Sequence, residues 1–190
     1  YAFSACDSLE SLNIPDSVTE TGTHVCAECV GLEEIYFSKN LKQINDSFCS
    51  RCYKLSKVQI SDSAKEIGDS AFYACTGLTD MNIPESVEII GSGAFGNAFS
   101  KDVDVKLTLP NGVREIQSEA FYASYLTEIY LPNSLEIIGE YAFRCSERLS
   151  SIKVPDSVNE ISKCAFADCL RLRSIQLPDR DIKYGEGIRI

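Results

Sequence analysis

The chain has 190 residues, 44% of them apolar and 24% charged, which suits one folded domain rather than a disordered segment. No apolar run nears the roughly 20 residues that span a bilayer, and direct membrane insertion is not expected. The formal net charge of −10 comes from 28 acidic against 18 basic residues with no basic stripe, which disfavours nucleic acid and anionic membranes as partners.

From the N-terminus onward the chain repeats itself. AFSACDSLESLNIPDSVTETGTH spans 2–24, and VCAECVGLEEIYFSKNLKQINDS spans 25–47. FCSRCYKLSKVQISDSAKEIGDS (48–70) and AFYACTGLTDMNIPESVEIIGSG (71–93) keep the 23-residue period. The fifth unit, 94–119, carries three extra residues, and the sixth, 120–141, lacks one. Units 142–164 and 165–187 return to the period. The chain opens inside a repeat, as a fragment or a processed form would.

The columns predict local structure. Leu12/Ile14 alternate with outward residues as in a half-buried strand, and the pair recurs as Ile35/Phe37, Val58/Ile60, Met81/Ile83, Leu107/Leu109, Ile129/Leu131, Ile152/Val154 and Ile175/Leu177. Proline follows in six of the eight units, where a missing N–H suits a strand end. A second apolar pair, such as Val87/Ile90 or Val158/Ile161, predicts a short second strand. The Ala-Phe pair is expected to bury a ring and begin a short helical or irregular return. One unit cannot bury its own apolar face, but stacked units can. The expected fold is therefore a single right-handed solenoid over 1–190, of about eight leucine-rich-repeat-like turns with parallel strands and little regular helix.

The pattern Ile-Pro-x-Ser-Val-x-x-Ile-Gly-x-x-Ala-Phe-x-x-Cys-x-x-Leu resembles the BspA-like leucine-rich repeats, over nearly the whole chain. The resemblance implies a surface or secreted protein of the adhesin type, binding host or microbial macromolecules. An intracellular interaction scaffold is the alternative, with a cytoplasmic address. Several columns lapse: Cys26 and Cys49 replace Phe, and Ala98 and Ser124 replace Cys.

Nine cysteines include Cys26-x2-Cys29 and Cys49-x2-Cys52, a spacing that in an arbitrary sequence signals zinc. Here the period already accounts for Cys29 and Cys52, which share a column with Cys6, Cys75 and Cys169. Core packing of reduced thiols is the favoured reading, with a metal site or disulfides as alternatives. No cofactor is expected. Equivalent cysteines in adjacent turns should stand about a strand spacing apart, wider than a disulfide favours.

His24, the single histidine, falls at a repeat corner and reads as a solvated turn residue, so no catalytic residue is assigned and no enzyme is expected. Asp16, Asp62, Glu85, Asp156 and Asp179 follow the strands and are read as local turn-formers rather than calcium ligands. The column Glu20, Glu66, Glu115 and Glu160 is expected to face water. Asn45-Asp46-Ser47 is a glycosylation sequon.

The candidate interaction surface is the outward side of the first strand: Tyr36 and Tyr130, with Glu34, Lys57, Gln59 and Glu128. Tyrosine is enriched at interfaces, and also in strands for its sheet propensity. Phe99, in the insertion 99–104, either joins that surface or plugs the gap beside Ala98. Two tyrosines four turns apart suit a protein or an extended glycan. Oligomeric state is not legible.

Overall fold

The computed structural model describes residues 1–186 and is a parallel-strand solenoid of about eight turns, with no helix among those residues. The first apolar pair of each repeat builds three-residue strands: β1 Ser11–Asn13, β2 Glu34–Tyr36, β4 Lys57–Gln59, β7 Lys106–Thr108, β9 Glu128–Tyr130, β11 Ser151–Lys153 and β13 Ser174–Gln176. The second pair builds two-residue strands: β3 Gln43–Ile44, β5 Glu66–Ile67, β6 Ile89–Ile90, β8 Glu115–Ile116, β10 Ile137–Ile138, β12 Glu160–Ile161 and β14 Lys183–Tyr184. Every pairing is parallel and in register, column on column, as Leu12 on Ile35 and Ile35 on Val58 illustrate.

The two faces differ in continuity. The second-strand face is one seven-stranded sheet running from β3 to β14. The first-strand face is cut into β1-β2-β4, β7-β9 and β11-β13. The cuts flank turns five and six, the long and the short turn. Their extra and missing residues both fall between the Ala-Phe corner and the first strand. The irregular turns pair with each other, Lys106 opposite Glu128, and break from their neighbours on that face alone.

The return segment is neither helical nor irregular. Two series of left-handed residues recur from turn to turn: Ala5, Glu28, Arg51, Ala74, Asn97, Ala123, Cys145 and Asp168 form one, and His24, Ser47, Ser70, Gly93, Glu119, Tyr141 and Cys164 the other. A non-glycine residue in this conformation costs roughly 1–2 kcal/mol. The cost is offset by hydrogen bonds that reach the next turn. Ala74 N–H donates to the Gly96 carbonyl at 2.8 Å, and Ser70 N–H to the Ser92 carbonyl at 2.8 Å. Between them Phe72 N–H donates to the Ala94 carbonyl at 2.9 Å, so the return is itself a ladder. At Ala74 the residue preference should therefore invert: Ala74→Gly should stay within about 0.5 kcal/mol of the parent, while Ala74→Val should lose about 1–2 kcal/mol. Urea unfolding of both variants checks the order, and a valine variant as stable as the glycine one would refute it.

Inside runs a column of rings. Phe72, Phe95, Phe121, Phe143 and Phe166 stack nearly face to face with centroids 5.2–5.6 Å apart. Where the column lapses to Cys49, Phe48 occupies the alanine column and Phe37 reaches in, meeting Phe48 at 5.0 Å and Phe72 at 6.4 Å edge-on. The lapse is thus a swap of ring and small residue between adjacent columns, which conserves core volume.

The cysteine column has a hydrogen-bonding role that its apolar neighbours conceal. Cys29, Cys52, Cys75 and Cys169 donate their thiols to the carbonyls of Phe3, Cys26, Cys49 and Phe143 at 3.0–3.1 Å. Ser146 makes the same bond to the Phe121 carbonyl at 2.8 Å.

Polar corners staple neighbouring turns as well as their own backbone: Ser38 and Ser61 accept locally from Asn40 and Ser63 N–H at 3.1 Å, whereas the corner acids seen to bond reach the next turn. Asp16 accepts from Lys39 N–H at 3.1 Å, and Glu85 from Asn111 N–H at 2.9 Å. Ser38, Ser61, Ser86 and Ser134 donate to carbonyls 20–22 residues earlier at 2.6–2.8 Å. Glu66, Glu115 and Glu160 are half-buried rather than fully in water. Burial and the nearby carboxylates of Asp46, Asp69 and Glu115 raise the Glu66 carboxyl above its ordinary range. His24 is also half-buried, its ring 4.7 Å from that of Tyr1, and its Nδ1 has no hydrogen-bond partner.

Candidate interaction face

The outward residues of β2 and β9 form two copies of one arrangement. In β2 the Tyr36 hydroxyl donates to Glu34 at 2.5 Å, and Lys57 from the next turn lies 3.5 Å from Glu34 and 5.0 Å from the Tyr36 ring centre. In β9 the Tyr130 hydroxyl donates to Glu128 at 2.5 Å, and Lys106 from the preceding turn pairs with Glu128 at 2.7 Å. The order of charge is reversed, with the lysine after the tyrosine in one copy and before it in the other. Lys106, an outward residue of the same column, joins the named surface residues here. In-register stacking puts it opposite Glu128.

These contacts set the electrostatics. The Tyr36 hydroxyl, followed by Lys57, holds the Glu34 carboxyl below the usual range. Lys106 and then Tyr130 do the same for Glu128, and the Glu128 carboxylate in turn raises the Tyr130 phenol. Both tyrosines have their hydroxyls committed to carboxylates, so the ring faces are what they offer a partner. Tyr130 is 52% exposed and Tyr36 is half-buried. Gln59 is exposed, directly opposite Tyr36 in the ladder.

Two grooves lie at the interruptions of this face. One, between β9 and β11, is lined by Glu128, Tyr130, Asn133, Ser151, Lys153 and Pro155. The other opens beside β4, where only Gln59 bridges to Asn82, and includes Lys39, Ser61 and Asp62. The face therefore carries aromatic, cationic and anionic groups in shallow relief, without a deep enclosed cavity at either tyrosine.

Phe99 does not belong to it. The side chain is fully buried, 5.6 Å from the Phe95 ring, and its backbone is left-handed with φ 72°. The small Ala98 leaves a gap in the cysteine column, and the ring fills it. The exposed remainder of the insertion is tied down by Arg148, two turns on. Its Nη1 donates to the carbonyls of Ser100, Lys101 and Val103 at 2.7–3.4 Å, and its Nη2 reaches Asp104 at 2.8 Å.

The sequon residue Asn45 is also engaged, donating its side-chain amide to the Thr21 carbonyl at 2.5 Å. A glycan on that nitrogen would replace a bond between turns. Among the described residues no helix is long and apolar enough to cross a membrane.

A stack of short parallel strands with an unpartnered outward face defines a leucine-rich repeat solenoid. Residues 1–105 and 97–187 match the BspA type leucine rich repeat region, so the chain belongs to that family. A leucine-rich repeat protein from Bacteroides ovatus is 29% identical, with a TM-score of 0.81 over 93% of this chain and 48% of its own. The Treponema pallidum leucine rich repeat protein shares the fold at 23% identity and a TM-score of 0.66, over 94% of this chain and 74% of its own. The chain thus spans about half the length of the Bacteroides protein. Among curated proteins, none matches.

Proposed function

We propose that the chain is a non-enzymatic interaction module of the adhesin type, carried at the cell surface or secreted, which engages a protein or an extended glycan through its first-strand face. The supporting observation is the division of labour between columns. Inward residues such as Ile35, Leu107 and Ile129 are buried, while their outward neighbours in the same strands are exposed or half-buried and contact only one another. Tyr36 and Tyr130 anchor the surface, and Glu34, Lys57, Gln59 and Glu128 give it charge and hydrogen-bonding groups. Their separation of four turns, roughly 19 Å at ~4.8 Å per turn, exceeds the reach of one small molecule.

The second reading, an intracellular scaffold, draws on the free thiols, five of which are buried and unpaired. A reducing compartment keeps such thiols free. It uses the same face and differs in address.

A pull-down with the repeats against extracellular-matrix proteins and against cell lysate identifies the partner. The double substitution Tyr36→Ala and Tyr130→Ala should then weaken its binding tenfold or more while leaving the melting temperature nearly unchanged. Unaltered affinity in the double variant would move the site off this face.

A further inference from the structure

The ring column lapses twice in succession, at Cys26 and Cys49, and both lapses are to cysteine. Their sulfurs approach to 3.4 Å, closer than the side-by-side spacing of neighbouring turns requires. Cys52 completes the group: the three Sγ atoms all lie within 4.8 Å of one another, and all three residues are fully buried. No imidazole or carboxylate joins them among the described residues.

Packing alone leaves this convergence without a reason. The column of Cys52 holds Ser124 and Ser146 elsewhere, and Ser146 makes the same bond to the preceding turn, so sulfur is not required there. At Cys49 the rings of Phe48 and Phe37 leave room only for a small side chain, but alanine or valine would meet that need without sulfur.

We propose that Cys26, Cys49 and Cys52 form a buried three-thiolate site for a soft monovalent cation, Cu(I). Thiolate sulfur selects Cu(I), which three ligands satisfy, whereas a structural zinc site takes four. Loading replaces thiol protons by the ion, and the protons leave to solvent, so uptake strengthens as pH rises. Complete burial means that the ion enters as the second and third turns form or open.

The test is anaerobic refolding with Cu(I) against a competing Cu(I) chelator. One ion per chain is expected, with three sulfurs as its nearest shell by X-ray absorption and a higher melting temperature in the loaded form. Cys52→Ser preserves the carbonyl bond, as Ser146 does, and should keep the fold while weakening Cu(I) by at least about tenfold. Cys75→Ser, in the same column one turn on and outside the triplet, should bind as the parent does. No uptake by the parent, equal uptake by Cys52→Ser, or equal weakening in Cys75→Ser would each overturn the proposal, as would a four-ligand zinc shell. Should Cys52→Ser fail to fold, the sulfur shell of the unmodified protein decides by itself.

Discussion

Replacing Phe95 by alanine should cost about 3–5 kcal/mol, the range for removing a buried ring from a core that cannot collapse around the void. Phe95 is fully buried and touches rings on three sides: Phe72 at 5.6 Å, Phe121 at 5.4 Å and Phe99 at 5.6 Å. The consequence extends beyond magnitude. Solenoid stability is a sum of turn and nearest-neighbour terms, and the weakest interface sets where the stack divides. Turn five is already cut from turn four on the first-strand face. Loss of Phe95 should therefore separate the unfolding of turns one to four from that of turns five to eight, giving two steps in urea. Phe166→Ala, at a half-buried ring that closes the column, provides the comparison and should cost less. A single transition shifted by under about 1 kcal/mol for Phe95→Ala would contradict the stacked-ring account.

Arg148→Ala should cost about 2 kcal/mol. One guanidinium satisfies three carbonyls of the insertion, and hydrogen bonds to charged groups contribute roughly 1.5–3 kcal/mol. The Asp104 pairing adds little, since that carboxylate is 76% exposed and screened. Arg148→Lys should recover part of the loss, because one ammonium can serve the carbonyls that Nη1 reaches but cannot also fork to Asp104. The local readout is limited proteolysis: cleavage between Lys101 and Asp104 should become rapid in the alanine variant while the parent resists. An unchanged melting temperature together with unchanged cleavage would show the clamp to be dispensable.

The repeat was legible because stacking copies each inward side chain onto the next turn, so Leu12, Ile35 and Val58 announce the same environment three times. The outward columns followed from alternation, and with them Tyr36 and Tyr130. The return segment was hidden because most of its left-handed positions hold residues such as Ala5, Glu28, Arg51 and Ala123, with Gly93 and Asn97 the exceptions. Hydrogen bonds to the next turn stabilise that conformation, and a propensity reading within one turn cannot register them. Phe99 was ambiguous for a related reason: whether an inserted ring turns in or out depends on the void beside Ala98, which forms only when turns four to six stack. Arg148 lies 44 residues from Asp104, beyond any local pattern. The corner acids were misread in range, since Asp16 and Glu85 bond across turns.

Among the described residues nine of the ten ion pairs join one turn to its neighbour, 22–24 residues apart, and each is individually weak at its exposure. Taken with the ring swap at Phe48–Cys49 and the long and short turns, they make the turns non-equivalent. A tandem array of identical units has many near-equal ways to align with itself or with another copy, each offset by a whole repeat. Here an offset of one unit would set Lys57 beside a different partner, double a ring where one was exchanged for sulfur, and leave the insertion without its arginine. The irregularities thus act as a key cut into an otherwise periodic bar, and they select one alignment among many. Restoring every lapse to the consensus should yield a chain that stacks well and mispairs readily.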